Sequence, residues 1–417
     1  MADFVVIGGG IGGLVLARRL ALNGATVTLV EASDRLGGSV SRHEVAGIVL
    51  DAGAESFATR GGTVAALATS LGLGEDLVEP NPDGGWVQPV DRPAFRLPEL
   101  SLLGIPGAPL ARDVIAVIGV RAALRAFADT VLPATYGTKA ETVGELVRRR
   151  MGDAVVEQLV TPIVRGVYTQ SPDELLLTKA APELRNRMAR LGSLAGAVRA
   201  LRGGSARAGS AVGGIRGGVA RLVDALAAEL DRFGVEIHLN TRVDSFDEHR
   251  AIAGGQRLDG RVIVAAPGML GDSDPGRRVV LATLVVDVPA LDAAPRGTGV
   301  LVAPGAPGIH AKALTHASAK WDWVREAAGG RHVLRLSYDD DRDDLAEIAR
   351  ADAEALTGVA IPASAVLGFD RVAWYRPTTH SHTPDGILAV GETIAGTGLA
   401  AIIAQAEETA SQLALRP

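Results

Sequence analysis

The sequence predicts an α/β protein that contains more than one domain. Its first residues combine a short β-branched run, a glycine cluster and a helical segment, which predicts the order strand, turn, helix. The length of 417 residues is near three times that of a usual domain, so we expect two or three domains with complete cores. Later β-like runs, separated by Pro and Gly turns, predict a second, antiparallel sheet.

Composition excludes several classes of protein. Apolar residues make up 47% and charged residues 22%, which is typical of a globular chain and argues against global disorder. Without Cys, the chain has no disulfide, no thiolate nucleophile, no Cys-ligated metal and no cysteinyl-linked cofactor. A net charge of -6 argues against general nucleic-acid binding, which needs a clustered cationic surface. We expect neither a signal peptide nor a membrane-spanning helix, because no basic start with a cleavable apolar core and no long uncharged apolar run is present.

The N-terminal segment carries the most specific pattern. Phe4–Ile7 predicts the first strand, and Leu14–Leu22 predicts the helix that follows it. Between them, Gly8, Gly10 and Gly13 fall in the register G-x-G-x-x-G. In this register the glycines permit the turn, let backbone approach a pyrophosphate, and let the helix pack closely on the strand. The pattern therefore predicts a dinucleotide-binding turn.

The next segment supports that prediction. A second strand, Ala25–Val30, ends in Glu31, where an acid would hydrogen-bond an unphosphorylated adenosine ribose. Strand, helix, second strand and acid together favour dinucleotide binding over a glycine-rich turn with a purely structural role. Arg35, Gly37 and Gly38 follow directly, and Arg35 could pair with a pyrophosphate. This continuation favours FAD over NAD.

The middle of the chain predicts a helical part followed by a return to alternating structure. Residues 100–151 carry Ala, Leu, Val and Arg at helical spacing, and the Gly- and Ser-rich residues 203–214 predict a flexible linker. After the linker we expect one helix and then a series of strands: helix Val219–Phe233 and strands Val235–Leu239, Arg261–Pro267, Val279–Val288, Gly299–Val302, Ala311–Thr315 and Val333–Tyr338.

Several segments resemble one family of flavoenzymes. Glu31–Gly38 resembles the glutathione-reductase-type FAD motif of the flavin amine oxidase superfamily, and Asp51–Phe57 is similar to the protoporphyrinogen and coproporphyrinogen oxidases. The resemblance continues in the segments Arg165–Leu175, Gly213–Leu226, Lys312–His316 with Trp321, and Val390–Ile402. Because Lys312–His316 is similar to the actinobacterial version, the chain resembles the actinobacterial coproporphyrinogen III oxidases.

The resemblance implies a three-part architecture. We expect a glutathione-reductase-type Rossmann FAD domain built from discontinuous segments, a mixed-sheet substrate domain and an inserted helical domain. The FAD-binding domain would comprise residues 1–60, 212–270 and 380–417. The substrate domain would comprise residues 61–95 and 275–379, and the helical insert would comprise residues 96–211.

The resemblance also implies non-covalent FAD and a set of residues that hold it. Val243 would offer its backbone to the adenine. The residues expected to contact FAD lie in or beside the glycine-containing turns: Gly8, Gly9, Gly10, Ile11, Gly12, Gly13, Glu31, Ala32, Arg35, Gly37, Gly38, Gly53, Ala54, Glu55, Ser56, Val243, Gly391, Glu392, Gly398, Leu399 and Ile402.

Four residues are candidate substrate ligands. Arg60, Arg165 and Lys312 would bind propionates, and Tyr168 would stack on a pyrrole. A structural role stays open for each of them. It would be an ion pair for Arg60, a contact between helices for Arg165, core packing for Tyr168 and a solvated edge-strand charge for Lys312.

Two other clusters contain residue types that bind metals. His380 and His382 have the spacing of a chelate on a strand, but their surroundings are loop-like. Asp339–Asp344 lacks the spaced ligands and central Gly of a calcium loop and is typical of a solvated turn before a helix. We therefore expect no metal at either cluster.

The resemblance implies a reaction and its partners. The enzyme would oxidise coproporphyrinogen III, and protoporphyrinogen IX as a second substrate, to the porphyrin in haem biosynthesis. Six electrons would pass to dioxygen and give hydrogen peroxide, and because the flavin supplies this chemistry no catalytic triad is required. Expected partners are the porphyrinogen, dioxygen and, transiently, a ferrochelatase. We expect a cytoplasmic protein with at most peripheral membrane contact.

The chain departs from the family pattern in two places. Gly61 stands where a basic residue is common, and the segment before the C-terminal motif is short, with Glu392 at a position that is more usually Asp-like. Two alternatives therefore stay open. One is a related flavin amine oxidase or desaturase with a different cavity, and the other is a paralogue that binds flavin or porphyrin without turnover.

Overall fold

The computed structural model describes residues 2–59, 61–90, 92–168, 170–202, 212–270, 276–376, 383 and 386–414. The strands in these ranges are β1 (Phe4–Ile7), β2 (Val27–Val30), β3 (Arg42–Val45), β4 (Ile48–Asp51), β5 (Phe57–Ala58), β6 (Leu77–Val78), β7 (Gly85–Gln88), β8 (Phe95–Arg96), β9 (Ser101–Leu102), β10 (Ile105–Pro106), β11 (Val212–Ile215), β12 (Glu236–His238), β13 (Val243–Phe246), β14 (Arg250–Ala253), β15 (Gln256–Asp259), β16 (Arg261–Val264), β17 (Arg277–Val286), β18 (Gly299–Val302), β19 (Ala313–His316), β20 (His332–Tyr338), β21 (Val366–Arg376) and β22 (Leu388–Ala389).

The helices in the same ranges are α1 (Ile11–Leu22), α2 (Thr63–Ser70), α3 (Arg112–Phe127), α4 (Val143–Met151), α5 (Asp153–Val155), α6 (Thr161–Tyr168), α7 (Leu177–Ala180), α8 (Leu184–Leu191), α9 (Leu194–Arg202), α10 (Arg221–Arg232), α11 (Ala317–Lys320), α12 (Asp322–Ala328), α13 (Leu345–Thr357), α14 (Glu392–Ala395) and α15 (Leu399–Ala414).

Five parallel strands form the first sheet, in the order β12-β2-β1-β16-β22. These strands lie far apart in the sequence but share two apolar cores. Val6 and Ile263 point to the core that contains helices α1, α10 and α15, whereas Val5 and Val262 point to the core on the opposite face. Since both faces are covered, the central strands β1 and β16 are apolar over most of their length rather than alternating, whereas the edge strand β12 carries Glu236 and His238.

Seven strands form the second sheet, in the order β21-β17-β20-β19-β18-β7-β8. One face packs on helix α13 through residues such as Leu284 and Leu334. Strands β7 and β18 pair in parallel, whereas the other neighbours are antiparallel, so the antiparallel sheet expected from the β-like runs is in fact mixed. The alternation pattern shows only which face is buried and does not indicate the direction of a distant partner strand such as β7.

Helices α3 to α9 share a third apolar core. In the sequence, these helices lie between strands β8 and β17 of the second sheet. Helices α5 and α6 are joined by a π-helical turn, Val156–Val160, in which the Thr161 hydroxyl donates to the Val156 carbonyl at 2.8 Å. The short hairpin β9–β10 precedes these helices inside the segment predicted as a helical insert. The buried ion pair of Arg150 and Asp129 holds the helices together, and Asp129 also accepts from the first N–H groups of α9.

The structure differs from the predicted flexible linker 203–214 at the C-terminal end of this segment. Residues 203–211 lie outside the described residues, but strand β11 begins at Val212 and pairs with β5 and β6. A Cβ at Gly214 would lie 2.9 Å from the ring of the buried Trp321. Glycine at this position therefore serves close packing rather than flexibility. Strand β21 was not expected from the sequence, and His380 and His382 lie outside the described residues.

Candidate functional site

The glycine turn joins strand β1 to helix α1. A Cβ at Gly13 would lie 2.0 Å from the carbonyl oxygen of Gly8, so the helix can approach the strand this closely only with glycine there. A Cβ at Gly10 would meet no protein atom within 4 Å, and among the described residues no side chain caps this end of the helix. Open space therefore lies in front of the first N–H groups of the helix, which is the arrangement that binds a pyrophosphate.

Glu31 lies beside this turn, directly after β2. One carboxylate oxygen accepts from the Gly9 N–H at 2.7 Å, and the other accepts from the N–H and the hydroxyl of Ser33 at 2.8 and 2.7 Å. Because a carboxylate has about four acceptor positions, Glu31 keeps capacity for ribose hydroxyls. The next residue, Ala32, is exposed, and Val243 is buried at the start of β13.

The loop after β2 closes the turn from its other side. Gly37 donates its N–H to the Gly9 carbonyl at 2.8 Å, and Gly38 lies next to Gly10. Arg35 is exposed, and its guanidinium donates to the Gly38 carbonyl at 3.0 Å. The loop and its cation therefore border the open space at the helix start.

The turn Asp51–Ser56 is held by close backbone contacts. A Cβ at Gly53 would lie 1.9 Å from the Ser39 carbonyl oxygen. The buried carboxylate of Asp51 accepts from the N–H groups of Val219 and Ala220 at 3.0 Å each. Burial raises the pKa of Asp51 to about 6, against the opposing effect of these two hydrogen bonds.

Glu55 in this turn forms ion pairs with strand β20 of the second sheet and with helix α11. Its carboxylate binds Lys320 and Arg335, each at 2.7 Å. Burial acts to raise the pKa of Glu55, but the two cations outweigh it and hold the pKa at about 2. Ala54 and Ser56 on either side are half-buried.

The C-terminal motif packs against the same helix start. A Cβ at Gly12 would lie 3.1 Å from the Cα of Gly391 and 3.3 Å from the side chain of Ile402. Ile11 and Leu399 are buried in the first core, whereas a Cβ at Gly398 would meet nothing within 4 Å. The glycine turn, the loop 35–38 and the C-terminal motif thus lie against one another, and open space remains at Gly10 and Gly398.

Glu392 follows Gly391 at the start of α14 and faces Arg376, with 3.5 Å between the Arg376 Nε and a Glu392 carboxylate oxygen. Burial raises the pKa of Glu392, and the charge of Arg376 opposes the shift. Arg376 is also the register partner of Arg277 across strands β21 and β17. Glu392 therefore connects the C-terminal motif to the edge of the second sheet.

A cavity of about 460 Å³ opens at that end of the second sheet. Arg165 from helix α6 and Lys312 just before β19 both line it, so the structure brings these two predicted substrate ligands together. Lys312 and Arg277 each approach the Asp339 carboxylate at 2.6 Å. Burial lowers the pKa of Lys312, and its hydrogen bond with Asp339 opposes this. The lining also contains Glu174, so three cations face two acids.

Of the other two predicted substrate ligands, the structure describes Tyr168, which does not line this cavity. Tyr168 is half-buried and packs against the helical core, and Arg60 lies outside the described residues. Lys312 pairs with Asp339, its side chain is 23% exposed, and it precedes β19, which is not an edge strand, so it is not a solvated edge charge.

Sequence reasoning missed four residues at these sites. Arg277 and Asp339 form the charged cluster of the cavity, so Asp339 is not merely part of a solvated turn. Arg335 binds the turn at Glu55, and Gln405 of α15 accepts from the Gly391 N–H and donates to the Ala389 carbonyl. The period of two along β20 places residues 335, 337 and 339 on one face, and this was the available signal for Arg335 and Asp339. In the described ranges no three acidic or histidine residues form a group that could hold a metal ion.

The chain was compared with known proteins at the level of sequence. Residues 11–285 match the model of the family "Flavin containing amine oxidoreductase". The coproporphyrinogen III oxidase of Mycobacterium tuberculosis (strain ATCC 25618 / H37Rv) is 31% identical over 373 residues, which cover 84% of this chain and 79% of that protein. The coproporphyrinogen III oxidase of Propionibacterium freudenreichii subsp. freudenreichii is 28% identical over 414 residues, which cover 87% and 77%.

Solved structures show the same fold. A presumed protoporphyrinogen oxidase from Exiguobacterium sp. 255-15 superposes with a TM-score of 0.83 at 22% identity and covers 99% of both chains. Putrescine oxidase superposes with a TM-score of 0.65 at 17% identity and covers 100% of this chain and 99% of its own. Within the described residues, none of the helices has the length and apolar character needed to cross a bilayer.

These findings confirm the family resemblance inferred from the motifs and the α/β fold class, with mixed sheets and helices, that it implied. The match begins at Ile11, within the glycine turn, and covers the loop 35–38, the turn Asp51–Ser56 and helix α6, which contributes Arg165. The chain belongs to the flavin-containing amine oxidoreductase family.

Proposed function

We propose that this protein is an FAD-dependent porphyrinogen oxidase that prefers coproporphyrinogen III. The observation that carries the proposal is the cavity in which Arg165, Arg277 and Lys312 converge. The C-terminal motif reaches this edge of the second sheet through the pair of Glu392 and Arg376. Coproporphyrinogen III carries more carboxylates than protoporphyrinogen IX, so a lining with more cations than acids favours it. The names of the relatives from Mycobacterium tuberculosis and Propionibacterium freudenreichii support the same substrate class.

The fit to FAD rests on this chain's own residues. The open N-terminus of α1 would accept the pyrophosphate, Glu31 would bind the ribose of the adenosine, and Val243 would lie near the adenine. The family resemblance implies non-covalent binding, and the absence of Cys excludes a cysteinyl link to the flavin. When bound, FAD supplies the transfer of electrons from the porphyrinogen to dioxygen, and overall one porphyrinogen and three dioxygen molecules give one porphyrin and three hydrogen peroxide molecules.

The protein's part is to bind and orient the macrocycle. Propionates would displace Asp339 as the partner of Arg277 and Lys312, and Arg165 would reach them from helix α6. Burial lowers the pKa of Lys312, so its charge is stabilised when a carboxylate enters. The same cationic lining disfavours the amine substrates of the alternative reading, because an ammonium group would meet like charges.

The first experiment is aerobic incubation of the purified holoprotein with chemically reduced coproporphyrinogen III or protoporphyrinogen IX. Porphyrin fluorescence and peroxide are followed against a flavin-free control. We expect both porphyrins to form, coproporphyrin faster, with three peroxide molecules for each porphyrin. If FAD is bound and neither porphyrin exceeds the control, the proposal is wrong. If protoporphyrin forms faster, only the substrate preference is wrong.

The cavity makes a prediction about substrate binding. Lys312→Met and Arg165→Met should each raise the KM for coproporphyrinogen III about tenfold or more, because each removes a charged partner of a carboxylate. We expect kcat to change little, since neither side chain is assigned a role in the electron transfer. Arg187→Met is the control, because Arg187 forms an exposed ion pair with Glu183 on α8. Equal KM values for all three variants and the unmodified protein would place the propionates elsewhere.

A further inference from the structure

We propose that Arg335 and Lys320 are positioning residues that fix the turn Asp51–Ser56 against the flavin, so that the second sheet completes the flavin site. The inference rests on the proposed flavin dependence. Neither residue belongs to the first sheet or to the glycine turn. Arg335 comes from strand β20 of the sheet that also carries the cationic cavity, and Lys320 ends helix α11, which directly follows β19 of the same sheet.

Arg335 binds the turn with both ends of its guanidinium. One Nη donates to Glu55 at 2.7 Å, and the other donates to the carbonyls of Gly53 and Ala52 at 2.8 and 3.1 Å. The residue is 6% exposed and lies within β20, between strands β17 and β19. Because Arg presents its donors in a rigid planar fork, this contact fixes both the position and the orientation of the turn.

Lys320 holds the other side of the same carboxylate. Its Nζ lies 2.7 Å from the second Glu55 oxygen and 5.1 Å from the centre of the Trp321 ring. Trp321 is 1% exposed and packs against Gly214, so the backbone next to Lys320 is well anchored. With each oxygen of Glu55 bound by one cation, its carboxylate is held at a fixed position in the turn.

The remaining sides of the turn are already fixed by the flavin-side segments. Gly53 lies against the Ser39 carbonyl, and Asp51 accepts from Val219 and Ala220. Arg335 and Lys320 add the contact from the substrate side. The geometry thereby ties the turn to both parts of the molecule.

Strand β20 also connects this contact to the cavity. Arg335 points to the flavin-side turn, and four residues later Asp339 binds Arg277 and Lys312 in the cavity. One rigid strand in the middle of a sheet therefore sets the spacing between the proposed propionate site and the flavin turn. A displacement of the turn would change how the macrocycle faces the flavin.

The test compares Arg335→Met with a matched control, Arg331→Met. Arg331 also joins the second sheet to the first part of the chain, because it donates to the Ala46 carbonyl at 2.8 Å, but this contact lies at the β3–β4 hairpin. FAD affinity of the apoprotein, the visible spectrum of the bound flavin and its midpoint potential are measured without porphyrinogen. For Arg335→Met we expect at least tenfold weaker FAD binding together with a shifted spectrum or potential. For Arg331→Met we expect less than a twofold change in affinity and the unmodified spectrum.

Two further variants separate positioning from folding. Arg335→Lys keeps a charge for Glu55 but cannot also bind both carbonyls in one plane, so it should restore the thermal stability of the apoprotein while FAD affinity stays reduced. Lys320→Met should give a smaller loss of affinity than Arg335→Met, because the contacts of Arg335 remain. The inference is overturned if Arg335→Met lowers stability but leaves FAD affinity, spectrum and potential unchanged, or if Arg331→Met has the same effect as Arg335→Met.

These outcomes are separate from those of the porphyrinogen assay. A protein that binds FAD, shows the Arg335 effect and oxidises no porphyrinogen would contradict the proposed substrate and leave the positioning role intact. A protein that oxidises porphyrinogens, but whose FAD affinity, spectrum and potential are unchanged by Arg335→Met, would contradict the positioning role and leave the proposed substrate intact. A purified protein that binds no FAD at all would overturn both proposals.

Discussion

Asp51 illustrates how one buried side chain connects two distant segments. Its carboxylate ends strand β4 and accepts from the backbone that leads into helix α10, more than 160 residues later. A neighbouring glycine makes this possible, because a Cβ at Gly218 would lie 2.8 Å from the carboxylate. Burial raises the pKa of Asp51 from 3.8 to about 6, because its effect on the pKa is larger than the opposing effect of the two hydrogen bonds.

The raised pKa predicts a dependence of stability on pH. In the unfolded chain Asp51 releases its proton near pH 3.8, whereas in the folded protein it keeps the proton up to about pH 6. Between these values the folded state binds more protons, so the contribution of Asp51 to the free energy of unfolding falls as the pH rises through this window and is constant above it. The total loss is on the order of 2–3 kcal/mol.

Asp51→Asn removes this titration. Between about pH 4 and pH 6, we expect the free energy of unfolding of the unmodified protein to fall relative to that of the variant by on the order of 2–3 kcal/mol. Urea unfolding at several pH values measures it. Two curves that stay parallel across the window would show that Asp51 ionises normally in the fold.

At the scale of elements, two glycines at the start of helix α1 have different roles, one in folding and one in the proposed binding of FAD. Gly13 contacts the strand, and Gly10 faces open space with a φ of −70° that any residue can adopt. Gly13→Ala should therefore lower the stability of the apoprotein by about 2 kcal/mol or more, because the helix must move away from β1. Thermal unfolding of the apoprotein measures this loss.

Gly10→Ala is the matched variant. It should leave the stability of the apoprotein unchanged within about 1 kcal/mol. Its methyl group would occupy the space in front of the helix N-terminus, so FAD binding should weaken about tenfold or more. Titration of the apoprotein with FAD checks this. Unchanged FAD affinity in Gly10→Ala would mean that the pyrophosphate does not approach this helix.

Elements also show where local pattern was sufficient. Strand β18 has the bounds that the sequence predicts, and helix α10 begins and ends within two residues of the expected Val219–Phe233. The π-helical turn Val156–Val160 and strand β21 were not predicted. The turn depends on packing of the helical core. In strand β21, exposed and half-buried residues alternate over most of its length, and none of its residues is fully buried. Neither has a local signature that distinguishes it from its surroundings.

At the scale of the whole molecule, the proposed flavin site joins segments from both ends of the chain. The glycine turn, the loop 35–38, the turn Asp51–Ser56 and the motif Gly391–Ile402 surround one region. A ligand that binds all of them only in the folded state must stabilise the whole fold. The candidate site thus predicts a measurable link between cofactor binding and unfolding.

FAD should raise the free energy of unfolding of the apoprotein by about 2.7 kcal/mol at a concentration of 100 Kd. Thermal unfolding at increasing FAD concentrations measures the effect, and NAD at the same concentrations should give none because the loop at Arg35 favours FAD. An equal response to NAD would show that the site does not distinguish the two dinucleotides. Gly10→Ala should reduce the FAD response in parallel with its affinity.

The sequence by itself determined the glycine turn between β1 and α1 and the family, and it predicted Glu31, Arg165 and Lys312 as candidate ligands. These features are local, because each depends on particular residue types at short spacing. A glycine pattern or an apolar strand can be recognised in the sequence without knowledge of its partners. Only the tertiary structure decided that Arg165 and Lys312 share a cavity, that Asp339 holds Lys312 and Arg277, and that Arg335 and Lys320 bind Glu55. Charged side chains far apart in sequence carry no local sign of their partners, because the ion pairs form only after the two sheets have packed together.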